Sequence, residues 1–161
     1  MASLLDTVDP RHKLATVEAL EEIYGEPVRG AQVKELDHIS EHYRSFIEAA
    51  PFMVLSTVGP EGTDCSPRGD PPGFVRVHDR KTLLVPDRRG NNRIDSLRNI
   101  VRDPRVSLLF LIPGIGETMR VNGRAAIVTD PQLCASFGMD GKLPRSVIVV
   151  TAERVYFCLL Y

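Results

Sequence analysis

Ala49-Ala50-Pro51-Phe52-Met53-Val54-Leu55-Ser56-Thr57 is where the chain changes character. Upstream, apolar residues recur at helical spacing; downstream, they alternate or run together in short segments cut by Gly and Pro. Upstream, Asp9-Pro10 reads as a helix start, with Asp at the N-cap and Pro at the first helical position. Leu14, Val17, Leu20, Ile23 and Tyr24 continue that helix, and Gly25 and Pro27 stop it. Val33, Leu36, Ile39, Tyr43, Phe46 and Ile47 predict a second helix ending near Pro51.

Downstream, Phe52 to Thr57 is a strand and Gly59-Pro60-Glu61-Gly62 a turn. Thr63 to Arg68 and Phe74 to Val77 read as extended around the break Pro71-Pro72-Gly73, and Lys81 to Pro86 as a strand. Asn92 to Val101 reads as a helix closed by Asp103-Pro104. Val106 to Ile112, strongly apolar, is expected to be a central strand. Thr118 to Val128 follows the turn Pro113-Gly114-Ile115-Gly116, with Asn122-Gly123 inside it either a hairpin turn or a bulge. Asp130-Pro131 starts a short helix to Phe137, and Ser146 to Thr151 and Arg154 to Leu160 are the last strands. Two helices followed by about seven short strands predict an α+β, mainly β chain built on a closed or nearly closed antiparallel barrel. The expected organisation is a tail over 1–8 and one domain over 9–161, with helices in 10–50 and the barrel in 52–161.

The chain has 161 residues, enough for one domain with a real core. Apolar residues make up 43% and charged residues 25%, as in ordinary soluble proteins. Charged residues, Gly or Pro interrupt every apolar run, so no membrane span is expected. The start, Met1-Ala2-Ser3-Leu4-Leu5-Asp6, lacks the features of a signal peptide, and a cytoplasmic location is the expectation. Cys65, Cys134 and Cys158 are odd in number and widely spaced, which argues against a disulfide framework or a cysteine zinc site.

The net charge of −1 conceals a local basic block. Residues 1–50 carry five Lys/Arg and ten Asp/Glu, whereas residues 76–105 carry nine and four. Within that block, Thr82-Leu83-Leu84-Val85-Pro86-Asp87-Arg88-Arg89-Gly90-Asn91-Asn92-Arg93-Ile94-Asp95 reads as strand, cationic turn and helix start. An Asn N-cap, the free amides of a first helical turn and three arginines converge there, which favours a compact anion such as a phosphate. Long nucleic acid would need a broader basic face with stacking aromatics, and the chain has no Trp. A second unusual stretch is Ser66-Pro67-Arg68-Gly69-Asp70-Pro71-Pro72-Gly73, rich in strand breakers, with Arg68 placed to point at a ligand. His38-Ile39-Ser40-Glu41-His42 matches an inverted zinc-hydrolase pattern, two histidines on one helix face with Glu41 as base. The amphipathic helix that contains it explains the same residues, and no metal site is expected. No dinucleotide fingerprint, P-loop or nucleophile elbow is present.

The order of these parts resembles the pyridoxamine 5′-phosphate oxidase-like, FMN-binding split-barrel superfamily. Within it, the chain is similar to a branch of FMN-dependent enzymes with the motifs Ser66-Pro67-Arg68-Gly69-Asp70, Leu84-Val85-Pro86-Asp87-Arg88, Gly90-Asn91-Asn92-Arg93, Asp103-Pro104-Arg105-Val106 and Arg120-Val121-Asn122-Gly123-Arg124-Ala125. The resemblance covers roughly residues 10–158. It implies a six-stranded antiparallel split barrel with short crossover helices, forming a homodimer with FMN at the subunit interface. Ser66, Pro67, Arg68 and Gly69 would lie against the flavin ring and ribityl chain. Val85, Pro86, Asp87, Arg88, Asn91, Asn92 and Arg93 would hold the ribityl chain and phosphate. Glu117 or Thr118 would reach in from the facing subunit.

The implied function is a flavin-dependent oxidoreductase acting on a small molecule, reduced by that substrate or by a nicotinamide. Ser66-Pro67-Arg68-Gly69-Asp70 replaces the Arg-x-x-x-Leu-Lys strand of true pyridoxamine phosphate oxidases, and Tyr156-Phe157-Cys158-Leu159-Leu160-Tyr161 stands without their Trp- and Arg-bearing substrate segment. A relative with another substrate is therefore expected. The alternatives are a flavin-binding or sensor protein without catalysis, a reductase using the deazaflavin F420 and, remotely, a zinc hydrolase on His38, Glu41 and His42.

Overall fold

A computed structural model describes residues 3–26 and 34–159. Contacts divide the chain into two units, Met1–Val33 and Lys34–Tyr161. In the first, Ser3 and Asp6 close a capping box around α1 (Leu4–Thr7), one helical turn within the expected tail. Asp9 does cap a helix start, accepting from the Arg11 amide, but it opens only a 3₁₀ turn, Pro10–His12. The helix proper, α2 (Val17–Tyr24), begins later because Thr16 offers a second cap to the Ala19 amide, and it ends at Gly25 with φ 68°. Pro27 and Val33 lie outside the described residues.

In the second unit, the expected helix over 33–50 is shorter. α3 spans Glu41–Ala49 under the cap Ser40. Leu36 instead bridges Val155, and the Ile39 amide donates to the Arg80 carbonyl at 2.7 Å. Leu36 and Ile39 still pack on the core, so their apolar spacing is met without a helix.

Among the described residues seven strands follow, all antiparallel: β1 (Phe52–Gly59), β2 (Gly62–Gly69), β3 (Arg76–Val77), β4 (Thr82–Asp87), β5 (Arg105–Leu111), β6 (Glu117–Val128) and β7 (Ser146–Leu159), in the order β2-β1-β5-β6-β7-β4-β3. The count exceeds the expected six by the two-residue strand β3, which pairs only with Leu83 and Leu84. The last two expected strands are one: β7 skips Glu153, so that Asn122 faces Arg154 while Gly123 faces Ala152. Of the two possibilities for Asn122-Gly123, the irregularity is thus a bulge, and β6 runs straight through it. As expected for Thr63 to Arg68, the proline-bearing stretch 66–69 is extended: it is the end of edge strand β2, where a missing ladder donor is tolerated.

Met53 and Leu55 of β1 share one core with Leu83 and Val85 of β4, although β5, β6 and β7 lie between those strands in the sheet. A sheet can do this only by curling, which makes the unit a split barrel. Ile47 of α3 enters the same core, as does Ile100 of α4 (Asp95–Arg102). α4 comes close to β1 because Gly59 has no side chain: a Cβ there would lie 2.2 Å from Asn99 Oδ1. Asn99 Nδ2 donates to Thr57 Oγ1 at 3.1 Å, which satisfies both buried groups. α5 (Pro131–Ser136), capped by Asp130 as expected, covers Leu84 and Val147 from outside the barrel. Among the described residues, no helix is long and apolar enough to cross a membrane.

Candidate functional site

The barrel's split lies between β2 and β4, and a polar zipper spans it. On β2, Thr63, Cys65, Pro67 and Gly69 are exposed, while Asp64, Ser66 and Arg68 are half-buried, as is Asp70 just beyond the strand. A strand normally turns apolar residues to its more buried face; here that face is polar throughout. Arg68 Nη1 donates to Asp87 Oδ1 at 2.9 Å, Arg88 Nε to Asp70 Oδ2 at 2.8 Å and Ser96 Oγ to Asp64 Oδ2 at 2.9 Å. Arg88 Nη1 also donates to the Phe137 carbonyl at 2.6 Å, tying the zipper to the end of α5. Among the described residues, Arg68 Nε is buried without a partner, a donor in need of an acceptor.

Beside the zipper lies a cleft of about 660 Å³. It brings together Ser66, Pro67, Arg68, Gly69, Pro86, Asp87, Arg88, Asn91, Asn92 and Arg93, all anticipated from the sequence. Val85 is buried in the core instead. Glu117 and Thr118 begin β6 and do not line the cleft. Arg145 and Ser146, at the start of β7, and Phe74, Asp64 and Ser96 line it unanticipated. The only sequence signal for Arg145 is a cation immediately before an apolar strand.

The lining carries five arginines, at 68, 88, 89, 93 and 145, and four aspartates, at 64, 70, 87 and 95. Arg68, Arg88 and Arg93 are paired with Asp87, Asp70 and Asp95. Among the described residues, Arg89 and Arg145 have no carboxylate partner; Arg145 Nη1 reaches only Asn92 Oδ1, at 3.3 Å. The cleft's free positive charge therefore sits at Arg89 and Arg145, not at Arg88 and Arg93.

The helix start also differs from expectation. α4 begins at Asp95, and Asn92 does not cap it. The N-cap is Ile94, left-handed at φ 53°, with no side-chain bond to the first turn, and Asn92 is left-handed too, at φ 61°. Asn tolerates that conformation; a β-branched residue does not, so Ile94 holds strain on the cleft wall. Ile94→Asn is expected to stabilise the chain by about 1 kcal/mol, read as a higher urea midpoint at unchanged slope. A lower midpoint would show that the Ile94 side chain matters more than its backbone.

The zinc pattern is not assembled. His38 precedes α3 and so shares no helical turn with His42. His38 Nδ1 meets Asp37 Oδ1 at 2.8 Å, and with Lys81 it draws the Asp37 carboxyl down to about 2. His42 lies against Phe157, ring centroids 5.3 Å apart. Among the described residues, no three His, Cys, Asp or Glu side chains group to hold a metal.

Residues 39–159 match the family model described as pyridoxamine 5′-phosphate oxidase. Among solved structures, tagged HupZ of Group A Streptococcus is similar at 20% identity and a TM-score of 0.61, covering 75% of this chain and 94% of its own. A Lactobacillus delbrueckii protein classed with the pyridoxamine 5′-phosphate oxidases reaches 20% identity and 0.60, covering 76% and 98%. An F420 reductase reaches 21% and 0.52, covering 74% and 98%. At these identities the likeness is one of fold. No curated protein matches the chain in sequence.

Proposed function

Because this chain belongs to the pyridoxamine 5′-phosphate oxidase family, we propose that the cleft binds a flavin, FMN, by its 5′-phosphate and serves a flavin-dependent oxidoreductase. The observation that carries this reading is the placement of Arg89, Arg145 and the orphan Arg68 Nε on one cleft. The residues present fit such a guest. The cleft has the size of a cofactor site, its two unpaired cations suit a phosphate dianion, and Arg68 Nε would gain the acceptor it lacks.

When bound, the flavin supplies hydride chemistry at its N5. The chain's own part is to hold and orient. Arg89 and Arg145 take the phosphate, helped by the uncapped first-turn amides of α4. Asp87 fixes the Arg68 guanidinium by one nitrogen and leaves Nε to donate to a polar edge of the ring system. Pro67, Pro86 and Phe74 supply apolar wall. A second copy would complete the site with Glu117 or Thr118, and a nicotinamide or small-molecule substrate would deliver the electrons.

Titration with FMN, followed by flavin fluorescence and absorbance, tests the reading. Arg89→Ala and Arg145→Ala are each expected to weaken FMN binding about tenfold or more, because each removes a charge-assisted contact. Both side chains are exposed, so thermal midpoints should hold. Undiminished affinity in both variants would sink the phosphate assignment. The F420 reductase neighbour makes a deazaflavin the second reading, and titrating F420 in parallel decides between the two.

A further inference from the structure

The groove along β2 does not end with the cleft. Past Asp64 and Asp95, which line both, it opens into a second cavity of about 340 Å³ between the β1–β2 turn and α4. Arg98 and Arg102 line this cavity. At i and i+4 they share one helix face, so both guanidiniums can close on a single oxyanion. Arg98 Nη1 lies 3.9 Å from Asp95 Oδ1, and Arg102 Nη1 lies 3.6 Å from Glu61 Oε2, both beyond hydrogen-bond reach.

The cavity's carboxylates do not cancel the pair. Asp95 is held by Arg93 at 2.9 Å, and Asp64 accepts from Ser96 Oγ at 2.9 Å. The Glu61 side chain, at the turn, is 81% exposed and can swing into water when an anion arrives. Among the described residues, no apolar side chain lines the cavity, which suits a phosphate and not a ring system. Arg89 and Arg145, assigned above to the flavin phosphate, do not line it either.

We infer that Arg98 and Arg102 bind a second phosphate monoester, the 2′-phosphate of a phosphorylated nicotinamide dinucleotide that reduces the flavin. The inference rests on the proposed flavin site for the acceptor in that reaction. Position chooses the ligand. In the proposed site the ring system lies by Arg68, and from Arg68 to Thr63 β2 runs about 17 Å at ~3.4 Å per residue. A small phosphorylated substrate cannot touch the ring and this cavity together. A dinucleotide can, because two ribose phosphates separate its nicotinamide from its adenosine ribose. Arginine is a regular partner of the 2′-phosphate, and the unphosphorylated dinucleotide has no dianion to offer the pair. In the reaction the C4–H bond of the dihydronicotinamide breaks and the hydride joins flavin N5. The nicotinamide is oxidised, and the flavin becomes its reduced anion.

The test is isothermal titration calorimetry of the full chain with 2′,5′-ADP, 5′-AMP and inorganic phosphate, each with and without FMN. The 2′,5′-ADP is expected to bind about tenfold or more tightly than either of the others. Arg98→Ala and Arg102→Ala should each weaken 2′,5′-ADP about tenfold and leave FMN affinity unchanged, since each removes a charge-assisted contact from one phosphate only. Both side chains are more than half exposed, so both variants should fold, which far-UV circular dichroism checks. On the FMN-loaded chain, stopped-flow reduction should prefer NADPH over NADH, and each variant should lose about tenfold of that preference. Equal binding of 2′,5′-ADP and 5′-AMP, or the same 2′,5′-ADP affinity in the wild type and both variants, would overturn the assignment. Inorganic phosphate bound as tightly as 2′,5′-ADP would overturn it as well, leaving no role for the nucleotide. A parallel fall of FMN affinity in both variants would give these arginines to the flavin's own phosphate and overturn it too. A chain that takes up no FMN but binds 2′,5′-ADP through both arginines would keep the nucleotide site and remove the flavin reading; FMN uptake without 2′,5′-ADP binding would do the reverse.

Discussion

Gly123→Ala is expected to cost about 3 kcal/mol or more of stability, the largest effect of any single methyl group in the barrel. At the bulge opposite Gly123, β7 presses its backbone against β6. A Cβ at 123 would stand 2.0 Å from the Thr151 carbonyl oxygen and 3.2 Å from Ala152 Cα. Neither is the tip of a side chain that can swing away, and both belong to a strand bonded on two sides, to β6 and to β4. Relief would require the bulge to open and the β6–β7 ladder to shift, which would disturb Val121, Ala125, Val150 and Val155 in the core. Gly59→Ala makes the contrast. Its Cβ would meet the Asn99 side chain, which can rotate at the expense of one buried hydrogen bond, about 1–2 kcal/mol. Urea unfolding of both variants measures the difference. A loss below about 1 kcal/mol for Gly123→Ala would mean the strands can slide, contrary to the register described.

Arg88→Ala is expected to damage both stability and cofactor binding, unlike the exposed arginines. Its guanidinium joins three parts of the fold: Asp70 at the end of β2, its own strand end after β4, and the Phe137 carbonyl after α5. The Asp70 side chain is only 11% exposed. Without Arg88 it becomes a nearly buried carboxylate with no cation, and the Phe137 carbonyl loses a charged donor. Partial exposure of Arg88 tempers the loss to about 2–3 kcal/mol, below that of a fully buried pair. The cleft wall then loses its brace, so FMN affinity should fall with stability. Arg88→Ala/Asp70→Asn should recover part of the stability, because an amide can stay buried at less cost than a carboxylate. Recovery of stability without affinity would identify Arg88 as a ligand contact as well as a brace. If Arg88→Ala alone leaves the melting temperature unchanged, the zipper does not hold the split.

Much of the fold was legible in order. Period-2 alternation and Gly-Pro punctuation located β1, β2, β4, β5 and β6, and Asp130 was recognisable as the cap of α5. The misplaced helix starts have one cause: local signals that tertiary bonds outweighed. Leu36 and Ile39 carry a helical period but are held extended by Val155 and Arg80, far along the chain. Asn92 is the better cap by propensity, yet α4 starts at Asp95, where Ser96 is anchored by Asp64 and Asn99 by Thr57. Those anchors position the helix against β1 and β2 and leave the turn before it to absorb two left-handed residues. The gap between Thr151 and Arg154 looked like a strand break because a bulge and a turn interrupt alternation in the same way.

The candidate site divides along the same line. By itself the sequence determined the material of the site: a polar period-2 face on Asp64, Ser66, Arg68 and Asp70, a cationic turn at 88–93, and a strand order that resembles a flavin-binding family. These are properties of residues within a few positions of one another, where spacing alone sets which side chains share a face. Only the tertiary structure decided which charges remain free for a ligand. Asp87 neutralises Arg68 across 19 positions, Asp70 neutralises Arg88 across 18, and Arg145 arrives beside Asn92 from 53 positions away. An ion pair depends on distance in space, and the curl of the sheet that brings β2 to β4 exists only once the core has closed.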